Sequence, residues 1–163
     1  MNFESLSQLV VVTPVSRGTL EGLRKLRNEP TIRRQFIDSS EVSRGQQLRW
    51  YTTQENDPSE ITWVATDHSN QVVGAVALTN IDFNLKQAEF GRLMASATVP
   101  RPRGLGHYLT RYTIDKARDM RLSKLRLVVF ERNDRALDLY REFGFKRTGD
   151  SGDLVTMTLL LSN

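Results

Sequence analysis

The chain has 163 residues, no cysteine and a formal net charge of +4 at pH 7. A chain of this length can bury a core of its own, so we expect one domain over residues 1–163. The lack of cysteine excludes disulfides, thiol nucleophiles and thiolate metal ligands. The two histidines, His68 and His107, do not have the spacing of a zinc-binding helix, so we expect no metal.

The positive charge does not predict a nucleic-acid-binding protein, because the arginines are spread along the chain and alternate with acidic residues. The N-terminal segment Met1–Gln8 has neither the basic region nor the long apolar stretch of a signal peptide. No apolar run approaches the roughly 20 residues that cross a bilayer. We therefore expect a cytoplasmic protein that binds neither nucleic acid nor a membrane.

The first third of the sequence predicts one strand followed by two helices. The β-branched run Leu9–Val15 is typical of a strand near a sheet edge, because Pro14 interrupts it. Leucines three residues apart indicate a helix over Thr19–Asn28, and the segment Ser43–Glu55 predicts a second helix. Between the two helices, Phe36–Glu41 is expected to be irregular.

The rest of the chain alternates strands and helices. Turn residues between two alternating runs predict a hairpin, and the helical stretches carry apolar residues at spacings of three and four. The run Leu125–Phe130 is apolar enough to predict a strand buried on both faces. The predicted elements are the hairpin strands Ile61–Thr66 and Val72–Leu78, the strands Ala88–Ala95, Leu125–Phe130 and Leu154–Leu161, and the helices Leu105–Met120 and Asp134–Phe143. This order predicts an α/β fold with helices packed on a mixed sheet.

A glycine-rich turn, Arg101–Gly106, lies between a predicted strand and a predicted helix. Glycine lets backbone N–H groups approach an anion, and the first turn of a helix offers unpaired N–H groups and a partial positive charge. The segment therefore predicts a phosphate site, with a bare turn as the alternative for an isolated Gly-x-Gly. It fits neither the P-loop nor the dinucleotide-binding motif, which indicates another phosphate-bearing cofactor.

Two motifs resemble those of the GNAT superfamily of acetyltransferases. Arg101, Gly104 and Gly106 match its pyrophosphate loop, Arg/Gln-x-x-Gly-x-Gly/Ala. A second family motif resembles the downstream strand, helix start and closing aromatic residues, namely Leu125–Phe130, Asn133, Ala136, Leu139, Tyr140 and Phe143–Phe145. Because both motifs occur in the order and spacing of the family, the resemblance implies an acetyl-CoA-dependent acetyltransferase.

The resemblance implies the GNAT fold, in which a mixed, mostly antiparallel sheet of about six or seven strands is flanked by about four helices. The sheet would splay open at the end of the strand Ala88–Ala95, where the pantetheine arm would pair with exposed backbone. The pyrophosphate would cap the helix that begins at Gly104. The cofactor-binding residues implied in this way are Met94, Ser96, Arg101, Arg103, Gly104, Leu105, Gly106, His107, Asn133 and Tyr140.

The resemblance also implies direct transfer of the acetyl group to an amine in a ternary complex, without a covalent enzyme intermediate. Tyr140 would protonate the departing CoA thiolate, although its helical spacing with apolar neighbours also fits a core tyrosine. A protonated amine must lose a proton before it attacks the thioester. Glu89 is the first candidate for the base, with Asp82 and Glu41 as alternatives.

A partial resemblance indicates the chemical class of the acceptor. Ile32–Glu41, Leu78–Asp82 and Glu89–Gly91 resemble N-acetyltransferases of nucleotide-linked amino sugars, of the pseudaminic acid pathway type, so we expect an amino-sugar acceptor. Leu26–Pro30 also resembles relatives that act on protein N-termini. A protein N-terminus, a small-molecule amine, or a non-catalytic acyl-CoA-binding module are the alternatives. Trp50 is a candidate acceptor contact, and an exposed sheet edge would allow a homodimer.

Overall fold

Seven β-strands form one sheet in the computed structural model, which describes residues 3–162. In chain order they are β1 (Val11–Pro14), β2 (Ile61–Thr66), β3 (Val72–Asp82), β4 (Gln87–Ala95), β5 (Lys124–Phe130), β6 (Lys146–Ser151) and β7 (Leu154–Leu160). Their order across the sheet is β1-β2-β3-β4-β5-β7-β6. Strands β4 and β5 are parallel neighbours, and the other neighbouring pairs are antiparallel. The predicted mixed, mostly antiparallel sheet is confirmed.

Six α-helices surround the sheet, with a 3-10 turn at Arg17–Thr19. The helices are α1 (Phe3–Ser7), α2 (Leu20–Asn28), α3 (Pro30–Arg33), α4 (Arg44–Gln54), α5 (Leu105–Asp119) and α6 (Asp134–Glu142). The four longer helices, α2, α4, α5 and α6, are the predicted ones. Across residues 3–162, none of the helices has the length and apolar character needed to cross a membrane. The cytoplasmic location stays a prediction.

Three elements were not predicted: α1, α3 and β6. Helices α1 and α3 have five and four residues, which is too short to show a helical period. Strand β6 reads Lys-Arg-Thr-Gly-Asp-Ser and lies at the edge of the sheet, paired with β7. An edge strand exposed to water needs no apolar alternation, so its sequence carries no strand signal.

The core is divided between the two faces of the sheet. On one face, α5 and α6 pack over a large cluster that includes Phe90, Leu109 and Phe145. On the other face, α2 packs on β3 and β4 over a smaller cluster that includes Leu23 and Met94. The protein therefore has one helical layer on each side of β4, the strand at the centre of the sheet.

Strand β5 is not buried on both faces, contrary to the sequence prediction. Leu125, Leu127 and Val129 are buried against the α5 and α6 layer, whereas Arg126 and Val128 are exposed on the opposite face. The physical reason is the position of α2, which packs on β3 and β4. The apolar run of β5 is thus a one-sided strand with one exposed valine.

Strands β4 and β5 pair over a short length and then separate. Their register comprises three pairs, which end at Glu89 and Arg126. Just beyond this point β4 contains a bulge, because its register with β3 shifts and Arg92 has a φ of 52°. As a result, Arg92 and Met94 line a pocket on one side of β4, while Leu93 and Ala95 line a cavity on the other. The predicted splaying of the sheet at this strand is confirmed.

Candidate active site

A cavity of about 420 Å³ lies where the end of β4, the start of α5 and one side of α6 meet. We call it the cofactor cleft. Its lining residues are Leu93, Ala95, Arg101, Gly104, Gly106, His107, Asn133, Arg135, Ala136, Asp138, Leu139 and Glu142. Five residues of the predicted cofactor set are among them: Arg101, Gly104, Gly106, His107 and Asn133. The structure therefore brings two separate sequence motifs to one cleft.

The glycine turn forms the N-terminus of α5 at the edge of the cofactor cleft. Gly104 is the N-cap residue and has a φ of 79°, a left-handed conformation that favours glycine. A Cβ atom added at Gly106 would lie 3.7 Å from Leu139 Cδ2, so a ligand can approach the backbone closely there. The side chain of Leu105 is fully buried and does not line the cleft, so a contact of this residue with a ligand would be made by its backbone. This geometry suits an anion at unpaired helix N–H groups.

Two arginines, Arg101 and Arg135, line the cofactor cleft together with two carboxylates, Asp138 and Glu142. Arg101 Nε donates to the backbone oxygen of Ser96 at 2.6 Å, and burial together with the nearby charge of Arg135 lowers the Arg101 pKa. Arg135 also lines the cleft and was not identified from the sequence, although its place in the first turn of α6 was available as a signal. Arg103 is exposed and does not line the cleft. Arg101 and Arg135 are thus the arginines nearest to a bound anion.

His107 and Asn133 are both engaged with α6. His107 Nε2 lies 2.9 Å from Glu142 Oε2, so the first turn of α5 is linked to the last turn of α6. The Asn133 side chain accepts a hydrogen bond of 3.2 Å from Ala136 N and caps α6. Each side chain therefore has a structural partner as well as a face toward the cofactor cleft.

Five of the ten predicted cofactor residues do not line the cofactor cleft, namely Met94, Ser96, Arg103, Leu105 and Tyr140. The side chains of Met94 and Ser96 are held elsewhere by specific contacts. Met94 is buried on the opposite side of β4, because the bulge at Arg92 reverses the side-chain alternation. Ser96 is buried and donates to Glu29 Oε2 at 2.8 Å. A cofactor role for these two residues is therefore left to their backbone groups and stays a prediction.

Tyr140 lies in the last turn of α6 with 8% of its surface exposed. Its ring packs edge-on against Phe90 and Phe145, at centroid distances of 5.6 and 5.8 Å. Burial raises the pKa of the phenol well above its usual range, so the hydroxyl stays protonated at neutral pH. Within residues 3–162 the hydroxyl has no hydrogen-bond partner, and it is not a fully buried atom. The ring is a core group, and its hydroxyl is a free proton donor.

A second pocket of about 350 Å³ lies on the other side of β4, between the bulge and helices α2 to α4. We call it the α2–α4 pocket. Aromatic side chains, carboxylates and arginines line it, including Phe36, Trp50, Asp38, Glu41, Arg27 and Arg92. Trp50 and Glu41 were candidates from the sequence. The others were missed, because their loop and helix positions show no motif.

The arginines of the α2–α4 pocket are held in place by aromatic rings and acidic groups. Arg92 forms an ion pair with Glu60 and lies over the Trp50 ring at 5.5 Å. Arg27 lies 3.8 Å from the centroid of Phe36 and donates through Nη2 to the backbone oxygen of Asp38 at 2.7 Å. Arg27 Nη1 is the one fully buried side-chain atom without a hydrogen-bond partner in the part of the chain that the structure describes. Burial lowers the pKa of Arg27.

The three candidate bases occupy different places. Glu89 lies where β4 and β5 part and forms a half-exposed ion pair with Arg126 at 3.4 Å. Asp82 accepts hydrogen bonds of 2.9 Å from two backbone N–H groups in the turn after β3, so this carboxylate stabilises a turn. Glu41 lies in the α2–α4 pocket, is largely exposed and is 3.6 Å from Arg33. Glu89 and Glu41 are therefore the candidates near the bulged strand.

Within residues 3–162, no group of three or more histidine, cysteine, aspartate or glutamate side chains could hold a metal ion. A sheet that parts beside a glycine-capped helix offers free strand backbone and unpaired helix N–H groups, an arrangement that can hold a phosphate-bearing acyl thioester. This is the arrangement expected of an acetyl-CoA-dependent acyltransferase, the class that the two sequence motifs imply.

Residues 21–145 match the model described as the acetyltransferase (GNAT) family. The match covers more than half of the chain, so the protein belongs to the GNAT family. It is an N-acetyltransferase that uses acetyl-CoA as the acetyl donor, as expected from the two motifs.

The protein is similar to spermidine acetyltransferases. A spermidine N(1)-acetyltransferase of Vibrio cholerae serotype O1 is 26% identical over 149 residues, which cover 88% of this chain and 83% of the relative. A crystal structure of a Vibrio cholerae spermidine N-acetyltransferase with CoA and spermine has a TM-score of 0.83 at 23% identity and covers 94% and 96% of the two chains. A dodecameric structure of such an enzyme has a TM-score of 0.76 at 23% identity, with 94% of each chain covered.

These relatives do not support the expected subfamily of nucleotide-amino-sugar acetyltransferases. The alternative of a small-molecule amine acceptor fits their names better. The expectation failed because it rested on Ile32–Glu41 and on β3 and β4 residues. Part of that set, such as Asp82, forms a turn and contacts no pocket. Sequence similarity at such positions reflects the local structure of the chain and does not indicate which acceptor it binds.

Proposed function

We propose that the protein transfers the acetyl group of acetyl-CoA directly to a small-molecule primary amine, which enters through the α2–α4 pocket. The observation that carries the proposal is the pair of pockets on opposite sides of the bulge in β4. Leu93 and Ala95 face the cofactor cleft, while Arg92 and Met94 face the α2–α4 pocket. An acyl group and an amine that approach from opposite sides would meet at this bulge, as transfer in one step requires.

The proposed chemistry is one nucleophilic substitution at the thioester carbonyl. The neutral amine attacks, a C–N bond forms, the C–S bond breaks, and the CoA thiolate takes the proton of Tyr140. A backbone N–H of the separated part of β4 would stabilise the oxyanion. Glu89, or Glu41 in its place, would take the proton of the amine directly or through water. Glu89→Gln should lower kcat by about 100-fold at pH 7, and an unchanged kcat would assign this role to another group.

Polyamines are the first acceptors to test. The names of the relatives support this choice, and two carboxylates, Asp38 and Glu41, line the α2–α4 pocket. Their negative charge would attract the distal ammonium groups of a polyamine. Trp50 and Phe36 would contact its methylene chain. Glu60 pairs with Arg92, and Asp38 interacts electrostatically with Arg27, so Glu41 is the carboxylate of this pocket that these two arginines do not engage.

The acceptor is tested by thiol release from acetyl-CoA with spermidine, spermine, a nucleotide-linked amino sugar and a peptide with a free N-terminus. We expect spermidine or spermine to give the largest kcat/KM. A larger value for the peptide would replace the small-molecule proposal with protein acetylation. Tight binding of acetyl-CoA without turnover on any amine would identify a non-catalytic acyl-CoA-binding module.

We also propose that the protein self-associates, at least to the homodimer expected from the sequence. A relative forms a dodecamer, and three apolar side chains of this sheet are exposed: Val11 on β1, Val128 on β5 and Leu160 on β7. Light scattering coupled to gel filtration will give the mass in solution. A mass of 18.6 kDa at micromolar concentration, that of one chain, would rule out self-association.

A further inference from the structure

The segment Leu26–Pro30 connects α2 to α3 and has a role that its sequence does not reveal. We propose that Glu29 in this segment is a positioning residue, which fixes the loop between β4 and α5 and so shapes the cofactor cleft. The inference deepens the proposed function, because it links the α2–α4 layer to cofactor binding. Its test measures binding of the cofactor alone and does not depend on the acceptor.

The Glu29 carboxylate is buried, with 8% of the residue exposed, and reaches across to the loop that follows β4. Its Oε1 accepts from the backbone N–H of Ala97 at 2.7 Å and of Thr98 at 3.1 Å. Its Oε2 accepts from the Ser96 hydroxyl at 2.8 Å. Glu29 and its three partners are far apart in sequence, so these contacts join two distant parts of the chain. Hydrogen bonds to a carboxylate are stronger than those between neutral groups.

Ser96 passes this constraint along the loop toward the phosphate site. Its hydroxyl oxygen accepts from the backbone N–H of Val99 at 2.8 Å and of Thr98 at 3.2 Å. Its backbone oxygen accepts from Arg101 Nε at 2.6 Å, and Arg101 lines the cofactor cleft. The chain of contacts from Glu29 through Ser96 to Arg101 is therefore continuous. A change at Glu29 should displace Arg101 and the turn that leads to Gly104.

The two residues before Glu29 fix the other pocket. Asn28 forms a pair of hydrogen bonds with the backbone of Val42, at 2.9 Å from Nδ2 to the oxygen and 2.8 Å from the N–H to Oδ1. Val42 and Arg27 both line the α2–α4 pocket. Three consecutive residues thus contact both sites. Arg27 and Asn28 form hydrogen bonds at the α2–α4 pocket, and Glu29 forms them with the loop that leads to the cofactor cleft. In the part of the chain that the structure describes, no side chain of α2 itself forms a hydrogen bond with the loop 96–99.

The buried charge of Glu29 has no ion-pair partner among residues 3–162. It is stabilised by one hydroxyl and two backbone N–H groups. Arg101 interacts with this carboxylate electrostatically without forming an ion pair, so the charge of Glu29 depends mainly on its hydrogen bonds, whose loss leaves it desolvated. The loop 96–99 is held in turn by that carboxylate. The Glu29 carboxylate and the loop 96–99 therefore hold each other in place, which is expected of a positioning residue.

The test compares Glu29→Gln and Ser96→Ala with the wild type. We expect acetyl-CoA to bind about 10-fold more weakly in each variant, which is about 1.4 kcal/mol, because the loop that leads to Arg101 loses a charge-assisted contact. Calorimetry with CoA alone, without acceptor, gives the affinity directly. In turnover assays the KM for acetyl-CoA should rise by the same factor, while the KM for the amine changes by less than about twofold. The double variant should be no weaker than either single one.

Asp67→Asn is the matched control. Asp67 accepts hydrogen bonds from the backbone N–H groups of Ser69 at 2.9 Å and Gln71 at 3.0 Å, in the turn between β2 and β3. This variant should lower the melting temperature and leave CoA affinity unchanged. If Glu29→Gln and Ser96→Ala also lose only thermal stability and bind CoA as the wild type does, the residue is merely structural and the proposal is overturned. If Glu29→Gln does not fold, Ser96→Ala alone decides.

Discussion

The two pockets beside β4 differ in what forms them, mainly backbone in one and side chains in the other. The cofactor cleft rests mainly on backbone geometry: a strand that separates from its neighbour, a glycine with positive φ at Gly104, and a glycine at position 106. The α2–α4 pocket is built from side chains, such as Arg27, Phe36 and Trp50, that come from a helix end, a loop and a second helix. One site is a property of the fold, and the other is a property of individual residues.

This difference explains which functional assignments can be carried over from a relative at low sequence identity. A site made of backbone persists wherever the fold persists, so the acetyl donor can be assigned from the family. A site made of side chains changes with each substitution, so a fold does not fix the acceptor. At 26% identity to a spermidine acetyltransferase, the cofactor follows from family membership and the acceptor is a proposal. Five predictions test this contrast.

The largest effect is expected from a charge placed at the backbone-built site. Gly106→Glu should weaken acetyl-CoA binding by at least about 100-fold, because it blocks two or more charge-assisted backbone contacts of about 1.5 to 3 kcal/mol each and adds a like charge. The fold should survive, since a Cβ atom at this position makes an ordinary contact with Leu139. Calorimetry with CoA will measure the loss.

Gly45→Glu provides the control, because it makes the same substitution in the first turn of α4 and outside both pockets. It should bind acetyl-CoA with the affinity of the wild type. Equal affinities for Gly106→Glu and the wild type, in a folded protein, would show that the pyrophosphate binds elsewhere. The contrast between a backbone-built and a side-chain-built site would then be wrong.

The second prediction concerns Tyr140, a core side chain for which we propose a role as the general acid. Tyr140→Phe should lower kcat by about 100-fold to 10,000-fold, the usual contribution of a general acid, with little change in the KM for acetyl-CoA. The melting temperature should change little, because the ring still packs against Phe90 and Phe145 and the lost hydroxyl has no partner in the described chain.

Measurement of turnover, CoA affinity and melting temperature on one preparation separates the two roles of Tyr140. Nearly full activity in Tyr140→Phe would leave protonation of the thiolate to water. Activity that falls only in proportion to thermal stability would make Tyr140 a core residue without a chemical role. Either outcome would confine the chemistry of the cleft to its backbone.

The same contrast between backbone and side chains explains how much of the structure could be predicted from the sequence. The order of strands and helices was predictable from alternation and helical spacing, and the glycine turn with Asn133 located the cofactor cleft. Strand β6 was missed because an exposed edge strand has no apolar pattern. The bulge at Arg92 was missed because it arises from pairing with β3, which no local pattern records. That bulge moves the Met94 side chain to the opposite pocket.

The acceptor side was poorly predicted for a related reason. Arg27, Phe36 and Arg92 contribute to one pocket from three separate segments, and their contact depends on how the segments pack. Glu29 is informative in the same way. In the sequence it is an unremarkable acidic residue before a proline, and in the structure it accepts three hydrogen bonds from a loop near residue 97. Long-range contacts of this kind leave no periodic signal in one chain.

The third prediction tests whether charge in the α2–α4 pocket selects a polyamine. Glu41→Gln should raise the KM for spermidine by about fivefold, because an exposed charge pair is worth up to about 1 kcal/mol. The KM for acetyl-CoA should not change. Glu55→Gln, at an exposed carboxylate beyond the end of α4 that lines neither pocket, is the control. Equal spermidine KM values for the two variants would count against a role of Glu41 in binding a cationic acceptor.

The smallest effect is expected from alkaline pH. Burial raises the pKa of the Tyr140 phenol above its ordinary value of 10.0, so the acid stays protonated and kcat should not fall between pH 7 and pH 10. Over this range kcat should instead rise and level off as the amine loses its proton. A decline of kcat with a midpoint near pH 9, present in the wild type and absent in Tyr140→Phe, would contradict the buried, protonated phenol.

The raised pKa of Tyr140 also makes the stability of the fold depend on pH. The stability is lost as the pH rises, whereas acid denaturation is a loss as the pH falls. Because the folded pKa is raised, the stability linked to Tyr140 is complete below pH 10, the value expected for the unfolded chain. Above that pH the unfolded chain releases the proton first, so the free energy of unfolding should fall by about 1.4 kcal/mol for each pH unit. Tyr140→Phe lacks this group, so its stability should fall less steeply between pH 10 and pH 11. Parallel curves for the two proteins in denaturant titrations would show that the phenol titrates normally and is not buried in solution.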